Sequence, residues 1–173
     1  MINRRSFITG IKSTTLSKRE KIFIRKYKPW GIILFSRNLK TIKQIQKLTN
    51  EIKKIFKDKN YPILLDQEGG RVNRLYKFLN TDPLTSMYFG NLFKKDKKKF
   101  DIYYKIFIDK TSYLLKQIGI NINTVPVLDI RTKGSSNIIG DRSFSTNPKI
   151  IDKIGNLCIK NFHYNNIGTV IKH

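Results

Sequence analysis

Alanine is absent from this chain, and cysteine occurs once. The lone Cys158 excludes an internal disulfide framework, and its place in an apolar helical pattern marks it as a small core residue. No apolar run approaches the ~18 residues that a membrane-spanning helix needs. The basic start Met1-Ile2-Asn3-Arg4-Arg5 lacks the long apolar stretch of a secretory signal. The expectation is a cytoplasmic protein without a membrane partner. One cysteine and two histidines at unhelpful spacing cannot close a zinc site. A Walker loop, a G-x-G-x-x-G turn and a G-x-S-x-G elbow are all missing. Neither a metal nor another cofactor is expected.

Acidic residues are scarce beside basic ones, 12 against 35, for a formal charge of +23. Such a balance invites a nucleic-acid reading, because a basic surface neutralises phosphates. Two features count against it. Lys, Ile and Asn abound while Ala is absent, which fits A/T-rich codons better than selection for charge. Lysine also far outnumbers arginine, whereas Arg is favoured where phosphates or bases are read. The run Lys94-Lys95-Asp96-Lys97-Lys98-Lys99 is expected to be a solvated loop before a helix. No nucleic-acid partner is expected.

The 173 residues, 39% hydrophobic, suffice for one domain with a real core, and the order is strand–helix alternation with short connections, the mark of a parallel α/β fold. Strands are expected at Ser6–Thr9, Gly31–Phe35, Tyr61–Leu65, Ile120–Val125 and Gly168–Ile171. Ser17 with Glu20 reads as a capping box for a helix to about Tyr27, with Ile22, Phe23 and Tyr27 inward. A second helix opens at Thr41 and carries Ile42, Ile45, Leu48, Ile52, Ile55 and Phe56 at helical spacing. A third runs from about Lys97 to Ile118 with Phe100, Tyr103, Phe107, Thr111, Leu114 and Ile118 on one side, and Gly119 closes it. The fourth starts at Asn147-Pro148 and buries Ile151, Ile154, Leu157, Cys158 and Phe162. The stretch from about Arg71 to Lys99, with Pro83 and Gly90, is irregular, and loops of that length are functional or carry small helices. Five strands are too few for a closed eight-stranded barrel. An apolar strand ending on the last residues has no following helix to cover it, so the sequence reads as cut short.

Polar clusters sit where these strands end, the place where parallel α/β folds bind ligands. Asp66-Gln67-Glu68-Gly69-Gly70-Arg71-Val72-Asn73-Arg74 follows the third strand. Ser36-Arg37-Asn38 follows the second, Asp129 and then Ile139-Gly140-Asp141-Arg142-Ser143-Phe144 the fourth, and Lys172-His173 the fifth. Parallel strands would gather all of these at one rim, where carboxylates beside Arg and Lys offer the directional acceptors and donors that sugar hydroxyls or small acids require. Alternatives stay open at each position. The Asp66 segment also fits a solvated loop closed by its own salt bridges, and Arg37 fits rim scaffolding paired with Asp66 or Glu68. Asp129 fits a strand-end cap or a buried carboxylate held by loop amides. One of Arg71 and Arg74 is expected to brace the loop and the other to face the cavity. His163 reads as an exposed helix-end residue.

At these residues the chain resembles the bacterial β-N-acetylhexosaminidases of glycoside hydrolase family 3, which act in peptidoglycan recycling. The segments that carry the likeness are Gly31–Asn38, Ile63–Arg74, Pro126–Ile130, Ile139–Phe144 and Lys172-His173, in family order from about residue 7 onward. The resemblance implies a (β/α)8 TIM-type barrel, with residues 1–173 as a partial barrel domain of about five β/α units. It also implies a sugar-binding set at Asp66, Arg74, Arg142, Lys172 and His173. Asp66 would accept from hydroxyls of terminal N-acetylglucosamine, Lys172 and His173 would donate to ring hydroxyls, and the two arginines would bind and shape the site. Family members are retaining hydrolases with an Asp nucleophile and a His–Asp acid/base. The segments bearing those groups have no match among these residues, so no catalytic residue is assigned and the chain alone is expected to be inactive. The resemblance thus implies a glycosidase acting on N-acetylglucosamine-containing cell-wall sugars, monomeric when complete. A non-catalytic sugar-binding remnant is the alternative.

Overall fold

The computed structural model describes residues 4–132, 134 and 136–173; the first three residues of the basic start lie outside them. Seven strands and five α-helices are assigned among the described residues, in the order β1 (Arg5–Gly10), α1 (Lys18–Tyr27), β2 (Pro29–Leu34), α2 (Ile42–Phe56), β3 (Ile63–Leu65), β4 (Gln67–Gly69), β5 (Val72–Asn73), α3 (Ser86–Lys95), α4 (Lys97–Gln117), β6 (Ile122–Asn123), α5 (Pro148–Tyr164) and β7 (Gly168–Thr169). They divide into two compact units. One comprises the chain up to Leu65 with Leu114–Ile122, the other Asp66–Tyr113 with Asn123–His173.

In the first unit β1, β2 and β3 are parallel neighbours, with Gly10 opposite Ile33, Ile32 opposite Ile63 and Leu34 opposite Leu65. Ile32, Leu34, Ile63, Leu64 and Leu65 are all buried, as continuous apolar runs require of strands covered on both faces. Ser17 forms the full capping box with Glu20, and Thr41 caps α2 by accepting from the Gln44 amide. Ile45, Leu48, Ile52 and Phe56 of α2 are buried, while Phe56 stacks on Tyr61 at 3.9 Å. The expected inward face of α1 is corrected. Ile24 is buried, whereas Ile22 and Phe23 are exposed, because the inward arc of so short a helix is centred on Ile24, and Ile22 falls on the opposite side.

The second unit holds further departures from expectation. Asp66–Arg74 is a tight hairpin rather than a loop: β4 and β5 pair antiparallel, with Gln67 opposite Asn73. Gly69 and Gly70 turn it with φ of 91° and 55°. A Cβ on Gly69 would stand 2.4 Å from the Leu84 carbonyl oxygen, and one on Gly70 2.7 Å from Thr85 Cγ2. Both positions therefore need glycine for conformation and for space. The irregular stretch carries α3, capped by Thr85 accepting from the Tyr88 amide. The lysine run expected as a loop is helical, split between α3 and α4 at Asp96, which caps α4 by accepting from the Lys99 amide at 3.0 Å.

On α4, Tyr104 and Leu115 are buried in place of Tyr103 and Leu114. The ring of Tyr104 joins Phe89, Phe100, Phe107 and Phe144 in the aromatic core of this unit. Asn147 caps α5 with Pro148 in its first turn, and Cys158 is buried as expected, with Leu157 only half-buried. β6 and β7 are shorter than expected. After β7 the chain keeps pairing through an isolated parallel bridge, Val127 to Lys172, in which the Leu128 amide donates to the Lys172 carbonyl at 2.7 Å and the Lys172 amide to the Pro126 carbonyl at 3.1 Å. Among the described residues no helix is long and apolar enough to cross a membrane.

Candidate functional site

The second unit brings Asp66, Glu68, Arg74, Thr124, Asp129, Arg142, Lys172 and His173 together. Asp66 is the residue between β3 and β4, and β4 then carries Glu68 inward. The bridge beside Val127 aims Lys172 at both acids: its ammonium lies 3.1 Å from Asp66 Oδ1, 2.6 Å from Glu68 Oε1 and 3.2 Å from Thr124 Oγ1. Those three acceptors match its three hydrogens. The Thr124 hydroxyl donates to Asp66 in a short bond, and Arg74 Nη2 stands 3.6 Å from Asp66 Oδ2.

Glu68 is the deepest of these acids, its side chain 3% exposed. It receives Arg142 as a fork, Nε to Oε2 and Nη2 to Oε1, both at 2.9 Å, the bidentate geometry that makes Arg–carboxylate pairs strong. That bond, partly offset by burial, holds the guanidinium more firmly protonated than usual. Burial pushes the Asp66 carboxyl upward, but Thr124, Lys172 and Arg74 together outweigh it, so the group titrates below the ordinary carboxylate value. Arg74 Nε is buried with no hydrogen-bond partner among the described residues.

Asp129 resolves differently from either alternative. Its carboxylate Oδ2 lies 2.7 Å from Nδ1 of His173, and among the described residues it meets this ring rather than a helix N-terminus or loop amides; the Ser143 hydroxyl donates to its backbone carbonyl at 2.6 Å. Because a carboxylate only accepts, His173 must carry hydrogen on Nδ1. Its Nε2 lies 3.5 Å from Arg142 Nη2.

Arg71 and Arg74 divide, Arg74 standing beside Asp66. Arg71 braces the loop, donating to the carbonyls of Asn137, Ile138 and Ile139 at 2.7, 2.5 and 3.1 Å and pairing with Asp141. Arg37 does not take the role expected of it: its Nε donates to the Ile11 carbonyl at 3.1 Å and its guanidinium lies over the Phe35 ring. His163 is exposed, within 3.0 Å of the Thr169 hydroxyl. Thr124 was missed by sequence reasoning, since a hydroxyl one residue past a short strand carries no periodic signal. Glu68 was visible in the motif without its bridging role.

The profile of the Glycosyl hydrolase family 3 N terminal domain matches residues 8–173. The chain belongs to this family. Its fold is the TIM-barrel-like α/β fold of the family 3 domain, present here as part of a barrel. A Beta-hexosaminidase of Hydrogenovibrio crunogenus is 32% identical over 167 residues, covering 96% of this chain and 46% of the relative. The crystal structure of NagZ from Neisseria gonorrhoeae in complex with N-trifluoroacetyl-D-glucosamine superimposes with a TM-score of 0.88 at 28% identity, covering 98% of this chain and 50% of that one. A glycoside hydrolase family 3 beta-N-acetylglucosaminidase from Paenibacillus sp. str. FPU-7 gives 0.82 at 27% identity, covering 96% and 31%. The chain spans about half the length of the Beta-hexosaminidase from Hydrogenovibrio crunogenus and of NagZ from Neisseria gonorrhoeae.

Proposed function

We propose that this chain carries the sugar-binding part of a β-N-acetylhexosaminidase, a glycoside hydrolase that releases terminal β-linked N-acetylglucosamine from peptidoglycan fragments. The observation that supports this most directly is the convergence of Asp66, Arg74, Arg142, Lys172 and His173 in one unit of a family 3 chain. Asp66 accepts from sugar hydroxyls. Arg74 donates from the guanidinium edge whose Nη2 stands 3.6 Å from Asp66 Oδ2. All three hydrogens of Lys172 have protein acceptors, so a sugar hydroxyl takes the place of one, the Thr124 contact being the weakest on charge grounds. Arg142 shapes the wall under the sugar, and His173 meets a ring hydroxyl.

Cleavage follows the retaining course, in which an enzyme carboxylate forms and then releases a glycosyl intermediate. In this reading no residue of the chain does the cutting, Asp66 included: its carboxylate is bound up with Lys172, Arg74 and Thr124. The protein acts in the cytoplasm, monomeric when complete, on cell-wall sugars, with neither nucleic acid nor membrane as a partner.

Calorimetric titration of the 173-residue chain with N-acetylglucosamine tests the reading, alongside an assay with a chromogenic N-acetylglucosaminide. Binding without turnover is expected. Charge-assisted hydrogen bonds are worth about 1.5–3 kcal/mol each, so Asp66→Asn should weaken binding by about tenfold or more. Sugar binding unaffected by Asp66→Asn, or normal turnover by the chain alone, contradicts it.

A further inference from the structure

The charges around the proposed sugar site balance. Asp66, Glu68 and Asp129 supply carboxylates, while Arg74, Arg142 and Lys172 supply cations; ion pairs join all of them except Asp129, which His173 Nδ1 holds by a hydrogen bond. His173 adds no charge in the Nδ1–H form, and an imidazolium would aim a second N–H at the Arg142 guanidinium 3.5 Å away. Within this set Glu68 stands apart. Its side chain is 3% exposed, against 18% for Asp66 and 24% for Asp129. Both of its oxygens are occupied, one by Arg142 alone and one by Arg142 and Lys172 together. It lies under the site rather than facing its contents.

A buried carboxylate bound to two cations does two things. It fixes where Arg142 and Lys172 sit, and it cancels charge that solvent reaches poorly. On the reading above, that this is a sugar site, we propose that Glu68 is the residue that makes it select an uncharged sugar over an anionic one. With Glu68 ionised the site has no net charge to offer a sugar carboxylate, which would give up its hydration and meet Asp66. With Glu68 neutral, one positive charge is left over beside Arg142 and Lys172, and an acidic sugar supplies the missing carboxylate.

The test compares N-acetylglucosamine with glucuronate by calorimetric titration on the 173-residue chain, with thermal melts to establish folding. Glu68→Gln keeps the shape and removes the charge. It should shift the affinity ratio toward glucuronate by at least tenfold, while Glu68→Asp, which keeps the charge on a shorter arm, weakens N-acetylglucosamine binding yet leaves the wild-type ratio. The double variant Glu68→Gln/Arg142→Gln restores neutrality and should restore the preference. An equal loss for both sugars in Glu68→Gln would mark a purely structural role and overturn the inference.

Should Glu68→Gln fail to fold, Arg142→Gln alone decides. It leaves a net negative site, and should raise affinity for cationic glucosamine relative to N-acetylglucosamine; an unchanged ratio overturns the inference. A wild-type chain that binds neither N-acetylglucosamine nor glucuronate overturns the sugar-site reading and this inference with it. One that binds N-acetylglucosamine while Glu68→Gln keeps its ratio overturns the inference alone.

Discussion

Asp66 shows how little a single residue type says without its neighbours. Burial alone would raise its carboxyl, yet Thr124, Lys172 and Arg74 bring it below the ordinary value. A folded-state value below the unfolded one means that the folded chain holds on to the ionised form. The stabilisation is therefore present above the unfolded value of about 3.9 and is lost as pH falls through the lower folded value. Urea unfolding followed between about pH 6 and pH 3 should show wild-type stability falling with acid. Asp66→Asn, which cannot titrate, should show a shallower fall and a lower plateau near neutrality. Equal slopes for both proteins would mean that the pairing contributes nothing. Asp66, Arg142, Lys172 and His173 were legible in the sequence because each sits in a strand-end motif. Their pairing was not: that Lys172 bridges two acids and that Asp129 answers His173 depends on contacts between residues 44 or more positions apart.

At the scale of elements, the sequence announced helices through caps and strands through apolar runs, and those signals held for Ser17, Thr41 and Asn147. It failed where a breaker residue serves packing. Pro83 and Gly90 made the stretch after the hairpin read as irregular, yet Pro83 merely precedes the Thr85 cap and Gly90 lies inside α3. Replacing glycine by alanine within a helix ordinarily gains about 0.5–1 kcal/mol. Here the added Cβ would stand 1.7 Å from the Phe144 carbonyl oxygen and 2.7 Å from its carbon, backbone atoms that cannot rotate away. Overpacking costs about 1–3 kcal/mol and sometimes more, so the clash outweighs the propensity. Gly90→Ala should lower the melting temperature and weaken sugar binding as well, because the pushed segment continues from Arg142. An unchanged or raised melting temperature would show that α3 and the segment at Phe144 separate at little cost.

For the whole molecule, the scarcity of cysteine provides a built-in reporter. Cys158 is buried in α5, and burial pushes its thiol up to about 12, only partly relieved by the hydrogen bond from Tyr104. An unfolded cysteine titrates near about 8.5, and the thiolate is the reactive form. At mildly alkaline pH the folded thiol is thus both hidden and protonated, so Ellman's reagent reaches it through opening of the second unit. The expected result is slow labelling in buffer and fast labelling in denaturing urea. Sugar binding makes the experiment more than a stability measurement. A ligand that binds only the folded form stabilises it by about 2.7 kcal/mol at a hundredfold excess over its Kd. When reclosing outpaces labelling, N-acetylglucosamine at that excess should slow Cys158 modification about a hundredfold. Cys158 is buried in α5 and is not among the residues that meet the sugar, so protection reports on closure of the unit around it. Labelling that is fast in buffer, or unmoved by a sugar that calorimetry shows to bind, would mean that Cys158 is reached by local opening while the site stays intact.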